Sequence, residues 1–279
     1  MHMILDVSLL PASLLHCAKI SAMLVAATWG SQSTLENKEA LIEKYTPTVR
    51  QAYESYTAQY KSTQRLQDFV RVYKTIVAQH ENFSTPLQVV WENYWLATDT
   101  QKPGKAPPVR PNFDWVDSAF PGMTLSNEAE GTVVILRPSW KSLAVLTKRT
   151  VDSTQDDRFI ALMLKLHGES WSHYPEWMQQ TWDYGGCSRL GSGKHTAFLN
   201  EIQIQIRGGS AFKDTLREQE ELLVNDLFEA QSLCASKTKA LKELNQIEKQ
   251  FSWSTQQKKA FVKQRERIMT EKVPVLGIS

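Results

Sequence analysis

Cysteine is scarce in this chain, with three in 279 residues (Cys17, Cys187 and Cys234), which excludes a disulfide-dense scaffold and a zinc site built from clustered thiolates. An excess of one charge is also missing. The 32 Lys and Arg against 30 Asp and Glu leave a formal charge of +2, too little for the electrostatic footprint of a nucleic-acid binder. The most basic run, KKAFVKQRER from Lys258 to Arg267, is diluted by glutamine and glutamate and reads as the solvated face of a terminal helix. No internal repeat and no low-complexity tract is found, which excludes a solenoid or other repeat array. A complete catalytic motif is absent too.

Long hydrophobic runs are lacking except at the start. From Ser8 to Trp29 the chain is apolar over about the length that spans a bilayer, interrupted by Lys19. Residues 1–30 are read as a signal-like segment cleaved near Gly30, or as an anchor that keeps residues 8–29 in contact with a membrane. A buried core helix is the third reading. The first puts the protein in the periplasm or outside the cell, and the second anchors it to a membrane. Cleavage would remove Cys17 and leave Cys187 with Cys234, a pair able to form a disulfide worth on the order of 4 kcal/mol.

Organisation follows from punctuation. Ser33 to Glu36 has the form of a capping box, and Thr46-Pro47 that of an N-cap followed by the first helical residue. Tyr45, Val49, Tyr53, Tyr56 and Tyr60, then Leu66, Phe69, Val70, Tyr73, Ile76 and Val77, recur at helical spacing, so residues 31–100 are expected to be helical with an aromatic packing stripe. Gln101 to Trp115 holds four prolines in fifteen residues, which excludes helix and central strand and sets residues 101–130 as a proline-rich linker or loop.

Beyond the linker, Gly131–Arg137, Lys141–Thr147, Arg158–Leu166 and Thr196–Ile206 are predicted strands. The last alternates isoleucine with glutamine from Ile202 to Ile206. That makes 131–207 a β-rich region. Residues 208–279 read as helical, with one long helix through Leu216, Leu223, Leu227, Ala230, Cys234, Leu241, Leu244 and Phe251, and a last helix capped by Ser254 and Gln257. The expected fold class is α+β, with N- and C-terminal helices packed together and a small, mostly antiparallel sheet, residues 31–279 forming one composite domain.

Three of the six histidines fall between Leu166 and Thr196. His167, Glu169, His173 and His195 form a nitrogen and oxygen set of the kind zinc accepts, at a spacing that matches no established motif. Gly191-Ser-Gly-Lys-His-Thr196 invites comparison with a phosphate-binding loop. It fails because Ser188 stands where a glycine is required, His195 replaces the magnesium-binding hydroxyl, and a strand is expected to follow. Cys187 with His195 or His167 offers a nucleophile and base, a chemistry that a bridge to Cys234 would abolish.

The aromatic cluster is the third feature. Trp171, Tyr174, Trp177 and Trp182, interleaved with Glu176 and Asp183, place flat rings beside carboxylates as a glycan or peptide surface does. Pro175 turns the chain within this run, so Trp177 is expected to be buried and Trp171 or Trp182 exposed. The sequence therefore favours an exported or membrane-anchored, non-catalytic interaction protein whose partner is a protein or a glycan, with no cofactor. The alternative is a metal-dependent hydrolase, with zinc the candidate metal, using a His/Glu site around 167–195.

Overall fold

A computed structural model describes residues 38–102, 104–128, 131–169, 174–180, 186–270 and 272–276. The leader segment, residues 8–29, and the Ser33 cap lie outside them. The architecture is mostly helical with two small antiparallel two-stranded sheets, an α+β fold.

Helix α1 (Lys38–Glu43) runs into α2 (Pro47–Ser62), whose N-cap Thr46 accepts a hydrogen bond from the Val49 N–H while Pro47 fills the first turn. After a break at residues 63–65, α3 extends from Leu66 to Asp99. Tyr45, Tyr53 and Tyr56 are buried, and each tyrosine hydroxyl donates to a backbone carbonyl, of Phe83, Ala119 and Pro121 respectively. The stripe of tyrosines is thus core with its polar tips satisfied, and burial pushes the Tyr53 phenol up to about 12.

Past the proline-rich stretch and the single turn α4 (Val116–Ala119), β1 (Met123–Glu128) and β2 (Val133–Pro138) form a hairpin with Met123 opposite Pro138 and Glu128 opposite Val133. The hairpin lies against α3, where Ser84 Oγ and Gln88 Oε1 accept from the Leu136 and Val134 N–H groups, both at 2.7 Å. Helices α5 (Trp140–Thr147) and α6 (Gln155–His167) follow, then β3 (Met178–Gln180) paired with β4 (Gly186–Ser188). The chain ends with α7 (Lys194–Arg207), α8 (Lys213–Glu229), α9 (Lys237–Gln250) and α10 (Thr255–Met269). Ser254 and Gln257 cap α10 reciprocally.

Three predicted strands are helices: Lys141–Thr147 lies in α5, Arg158–Leu166 in α6 and Thr196–Ile206 in α7. In α6 the buried residues Phe159, Ile160, Leu162, Met163, Leu166 and His167 follow a helical period, and Asp156 and Asp157 occupy the first turn, where the helix dipole favours carboxylates. In α7 only His195, Leu199 and Ile202 are buried, and Ile204 is 56% exposed, so the isoleucine alternation is not a two-sided strand. The expected long C-terminal helix is two, broken at Ala230 by a segment carrying Leu233 and Cys234 in extended pairing.

Candidate functional site

Among the described residues, Trp177, Cys187, Ser188 and His195 lie at hairpin β3–β4 and the start of α7. Trp177 enters the hairpin fully buried, its ring edge-on to Phe198 with centroids 6.2 Å apart, while its carbonyl accepts from the Arg189 N–H at 2.8 Å. Strand β4 extends the pairing past β3. The Ser188 N–H donates to the Ser232 carbonyl and the Cys234 N–H to the Ser188 carbonyl, and Leu233 in turn bridges to Val275. A disulfide joins Cys187 to Cys234, with Cα atoms 5.3 Å apart, locking β4 to the segment between α8 and α9. With both sulfurs in that bond, Cys187 is no nucleophile.

Beneath the hairpin sits a sealed polar cluster. Ser188 Oγ donates to Asp226 Oδ2 at 2.5 Å, and His195 Nε2 bonds the same oxygen at 2.7 Å. These are the residue types of a hydrolytic triad, wired differently. A triad places the carboxylate on one imidazole nitrogen and the serine on the other, so that the base can take the serine proton. Here serine and Nε2 share one carboxylate oxygen, the serine proton is directed to Asp226, and its Oγ accepts from the Leu190 N–H. His195 Nδ1 is buried without a partner, which suits the tautomer with Nε2–H donating to Asp226 and a bare Nδ1 in the core. Ser188 is 2% exposed and His195 0%, so both side chains are shielded from solvent. The cluster fastens β4 to α7 and α8.

The glycine-rich turn is fastened just as firmly. Contrary to the expected strand, α7 begins right after Gly193, whose positive φ of 83° suits a residue without a side chain. The amides at this helix start bind an anion, as helix N-termini do, and the anion is internal. Glu243 on α9, itself buried, accepts from the Gly191, Gly193 and Thr196 N–H groups at 2.5, 2.9 and 3.0 Å and from Thr196 Oγ1 at 3.1 Å. An added Cβ on Gly191 would lie 2.6 Å from the Ala240 nitrogen, so α9 packs directly on this turn. Lys194 pairs outward with Glu176, which also accepts from Arg189 at 3.1 Å. The loop holds a carboxylate of its own protein where a phosphate loop would hold a nucleotide.

The described metal-ligand candidates are not brought together. His167 ends α6, buried, with Nε2 3.0 Å from Gln219 Oε1 and its ring stacked on Trp140. Glu169 is exposed and paired with Lys141 at 2.9 Å, and His195 bonds Asp226. Among the described residues no three His, Cys, Asp or Glu side chains form a group that could hold a metal ion. His173 lies outside the described residues, as do Trp171, Trp182 and Asp183 of the aromatic set. Tyr174 is half-buried with its ring against Gly186, where a Cβ would meet Tyr174 Cε1 at 2.8 Å.

Sequence reasoning missed Ser188 as a donor, Asp226, Gln219 and Glu243. The signal for Glu243 was present: it sits in the stripe Ala240, Glu243, Leu244, Ile247, all buried, so a carboxylate occupied a core position and required donors. Asp156 is a similar case. Burial pushes its carboxyl above the usual range against the opposing hydrogen bond from Thr150 Oγ1 at 2.5 Å. Among the described residues no helix is long and apolar enough to cross a membrane. In comparisons with known proteins, no family model, curated protein or solved structure matches this chain.

Proposed function

We propose that this chain is a non-catalytic recognition protein of an oxidising compartment outside the cytoplasm, with residues 8–29 as its export leader or membrane anchor. It presents the aromatic run 171–184 to a glycan or peptide. The observation that carries the reading is the disulfide between Cys187 and Cys234, because such bonds persist where thiols are not kept reduced. The anchoring of the run's flanks adds support. The Glu176 N–H donates to the Leu166 carbonyl at 2.8 Å, Trp177 is buried, and Cys187 is covalently tied, so the stretches that carry Trp171 and Trp182 start and finish on fixed backbone. Recognition residues on a rigid support lose less entropy on binding. Against catalysis stands the sealed Ser188, His195 and Asp226 cluster, whose serine proton is held by the aspartate.

Binding of the full chain to arrayed bacterial and host glycans and to extended peptides tests this, with Trp171→Ala and Trp182→Ala beside the parent. At least one substitution is expected to weaken binding tenfold or more while leaving the melting temperature within a degree or two. If both instead lower the melting temperature strongly and leave binding intact, the run is scaffold and the proposal fails.

A further inference from the structure

The two edges of the β1–β2 hairpin differ in how their backbone groups are used. In the β1–β2 hairpin the Val134 and Leu136 N–H groups point away from β1 and donate to Gln88 Oε1 and Ser84 Oγ on α3. The Ser139 N–H donates back to the Gly122 carbonyl at 2.9 Å. With the register Leu125 opposite Leu136 and Asn127 opposite Val134, these bonds fix the alternation of an antiparallel ladder. Thr124, Ser126 and Glu128 direct their backbone groups toward β2. Leu125 and Asn127 direct theirs outward, two residues apart, and among the described residues nothing bonds to either.

The two edges of this sheet are thus treated differently. Helix α3 caps the β2 edge with side-chain acceptors, while no proline, lysine or bulge interrupts Met123–Glu128 on the β1 edge. Beside the open edge is a recess of about 430 Å³ lined by Leu125, Asn127, Trp91, Arg110, Phe113 and Asp114. Leu125 and Asn127 point to the same face of the hairpin as the buried Val134 and Leu136, so an added strand would lower alternate side chains toward Trp91 and Phe113. The Arg110 guanidinium lies 5.3 Å from the Trp91 ring centroid, and among the described residues it enters no ion pair.

We infer that an extended segment of another polypeptide adds to β1 as a third strand, pairing with the backbone of Leu125 and Asn127. It carries an apolar side chain into the recess and an acidic one to Arg110. Unpaired N–H and C=O groups at a two-residue repeat match extended backbone, whereas a partner helix has already satisfied its own. The 110–114 loop walls the same recess, and Arg110 on it gives the added strand's acidic side chain a cation to meet.

A random heptapeptide library displayed on phage and panned on the full chain supplies the probe, and amide hydrogen exchange supplies the readout. In the free protein the Leu125 and Asn127 amides are expected to exchange much faster than those of Thr124 and Ser126. Enriched peptides are expected to alternate apolar and polar residues with one acid, and to slow exchange at Leu125 and Asn127. Asn127→Pro removes an outward donor without touching the ladder, so it weakens these peptides at least tenfold at an unchanged melting temperature, and Arg110→Ala weakens them severalfold. Trp182→Ala leaves them unaffected, which separates this site from the aromatic run. No enrichment, or binding indifferent to Asn127→Pro with no new protection at Leu125 and Asn127, overturns the inference. So does a concentration-dependent dimer that Asn127→Pro abolishes, since a second copy then fills the edge.

Discussion

A buried carboxylate is stabilising only when every lone pair finds a donor, and Glu243 meets that condition with three backbone amides and one hydroxyl. Its removal would strand those donors inside the protein. Glu243→Ala is therefore expected to cost about 3 kcal/mol in urea unfolding, the upper range for losing hydrogen bonds to a charged group. Glu243→Gln should recover little of it, because the two carboxylate oxygens each accept and an amide would turn its NH₂ toward N–H groups on one side. A second consequence is chemical rescue: formate should raise the melting temperature of Glu243→Ala, by occupying the vacated cradle, and leave that of the parent unchanged. A loss under 1 kcal/mol for the alanine variant would mean that water satisfies the turn. The Ser188, His195 and Asp226 cluster meets that condition less fully: Asp226 Oδ2 takes both Ser188 Oγ and His195 Nε2, while His195 Nδ1 is left without a partner.

Hairpin β3–β4 is too short to stand alone, with three residues in each strand, so its stability is tertiary. The disulfide closes a separation of 47 residues, for which chain entropy gives about 4 kcal/mol. Replacing both Cys187 and Cys234 by alanine should lower the unfolding free energy by about that amount, and reductant should do the same to the parent while leaving the variant unaffected. The flanking bonds of Ser188 to Ser232 and Cys234 preserve the native pairing, so the variant should fold, with protease cutting near the hairpin as the first sign of loosening.

Elements whose ends carry chemistry were legible in the sequence: Thr46-Pro47 starts α2, Ser254 and Gln257 cap α10, and the four prolines leave 101–115 without a strand or long helix. Helices α5, α6 and α7 were not. In α5 and α6 an apolar run that a buried strand also explains masked local helix signals, the Ser139 cap and the first-turn Asp156 and Asp157, and in α7 the isoleucine–glutamine alternation mimics a strand. For α7 the strongest acceptor at the helix start is Glu243, which takes the Gly193 and Thr196 N–H groups at 2.9 and 3.0 Å, while the adjacent Ser192 Oγ accepts from Lys194 N–H at 3.4 Å. The site was legible to a similar extent. Trp177 as an anchor follows from Pro175 beside it, whereas the partner of His195, 31 positions away on another helix, leaves no local trace.

Across the whole molecule, Phe212 is where the N-terminal and C-terminal helices meet. It lies just ahead of α8, buried, its ring stacked on Phe159 with centroids 4.1 Å apart and edge-on to Phe69 and Tyr73 at 5.8 and 5.7 Å. One side chain thereby joins α3, α6 and α8, and the described core is a single cluster running from Leu41 to Val273. A continuous core of this kind should unfold in one transition although the chain exceeds the size at which two-state behaviour is usual. Phe212→Ala should cost about 3 to 5 kcal/mol, the range for a large aromatic lost from a core. Phe212→Leu should cost less because it refills part of the volume. The distinguishing readout is cooperativity. If Phe212 couples the two helical groups, calorimetry of the alanine variant should show a transition broadened or split in two, with a calorimetric enthalpy exceeding the van't Hoff value. An equally destabilising change away from the junction, such as Phe261→Ala in the cluster with Phe228 and Trp253, should leave its single transition intact. A sharp, merely lower transition in Phe212→Ala would show that the halves are held together elsewhere.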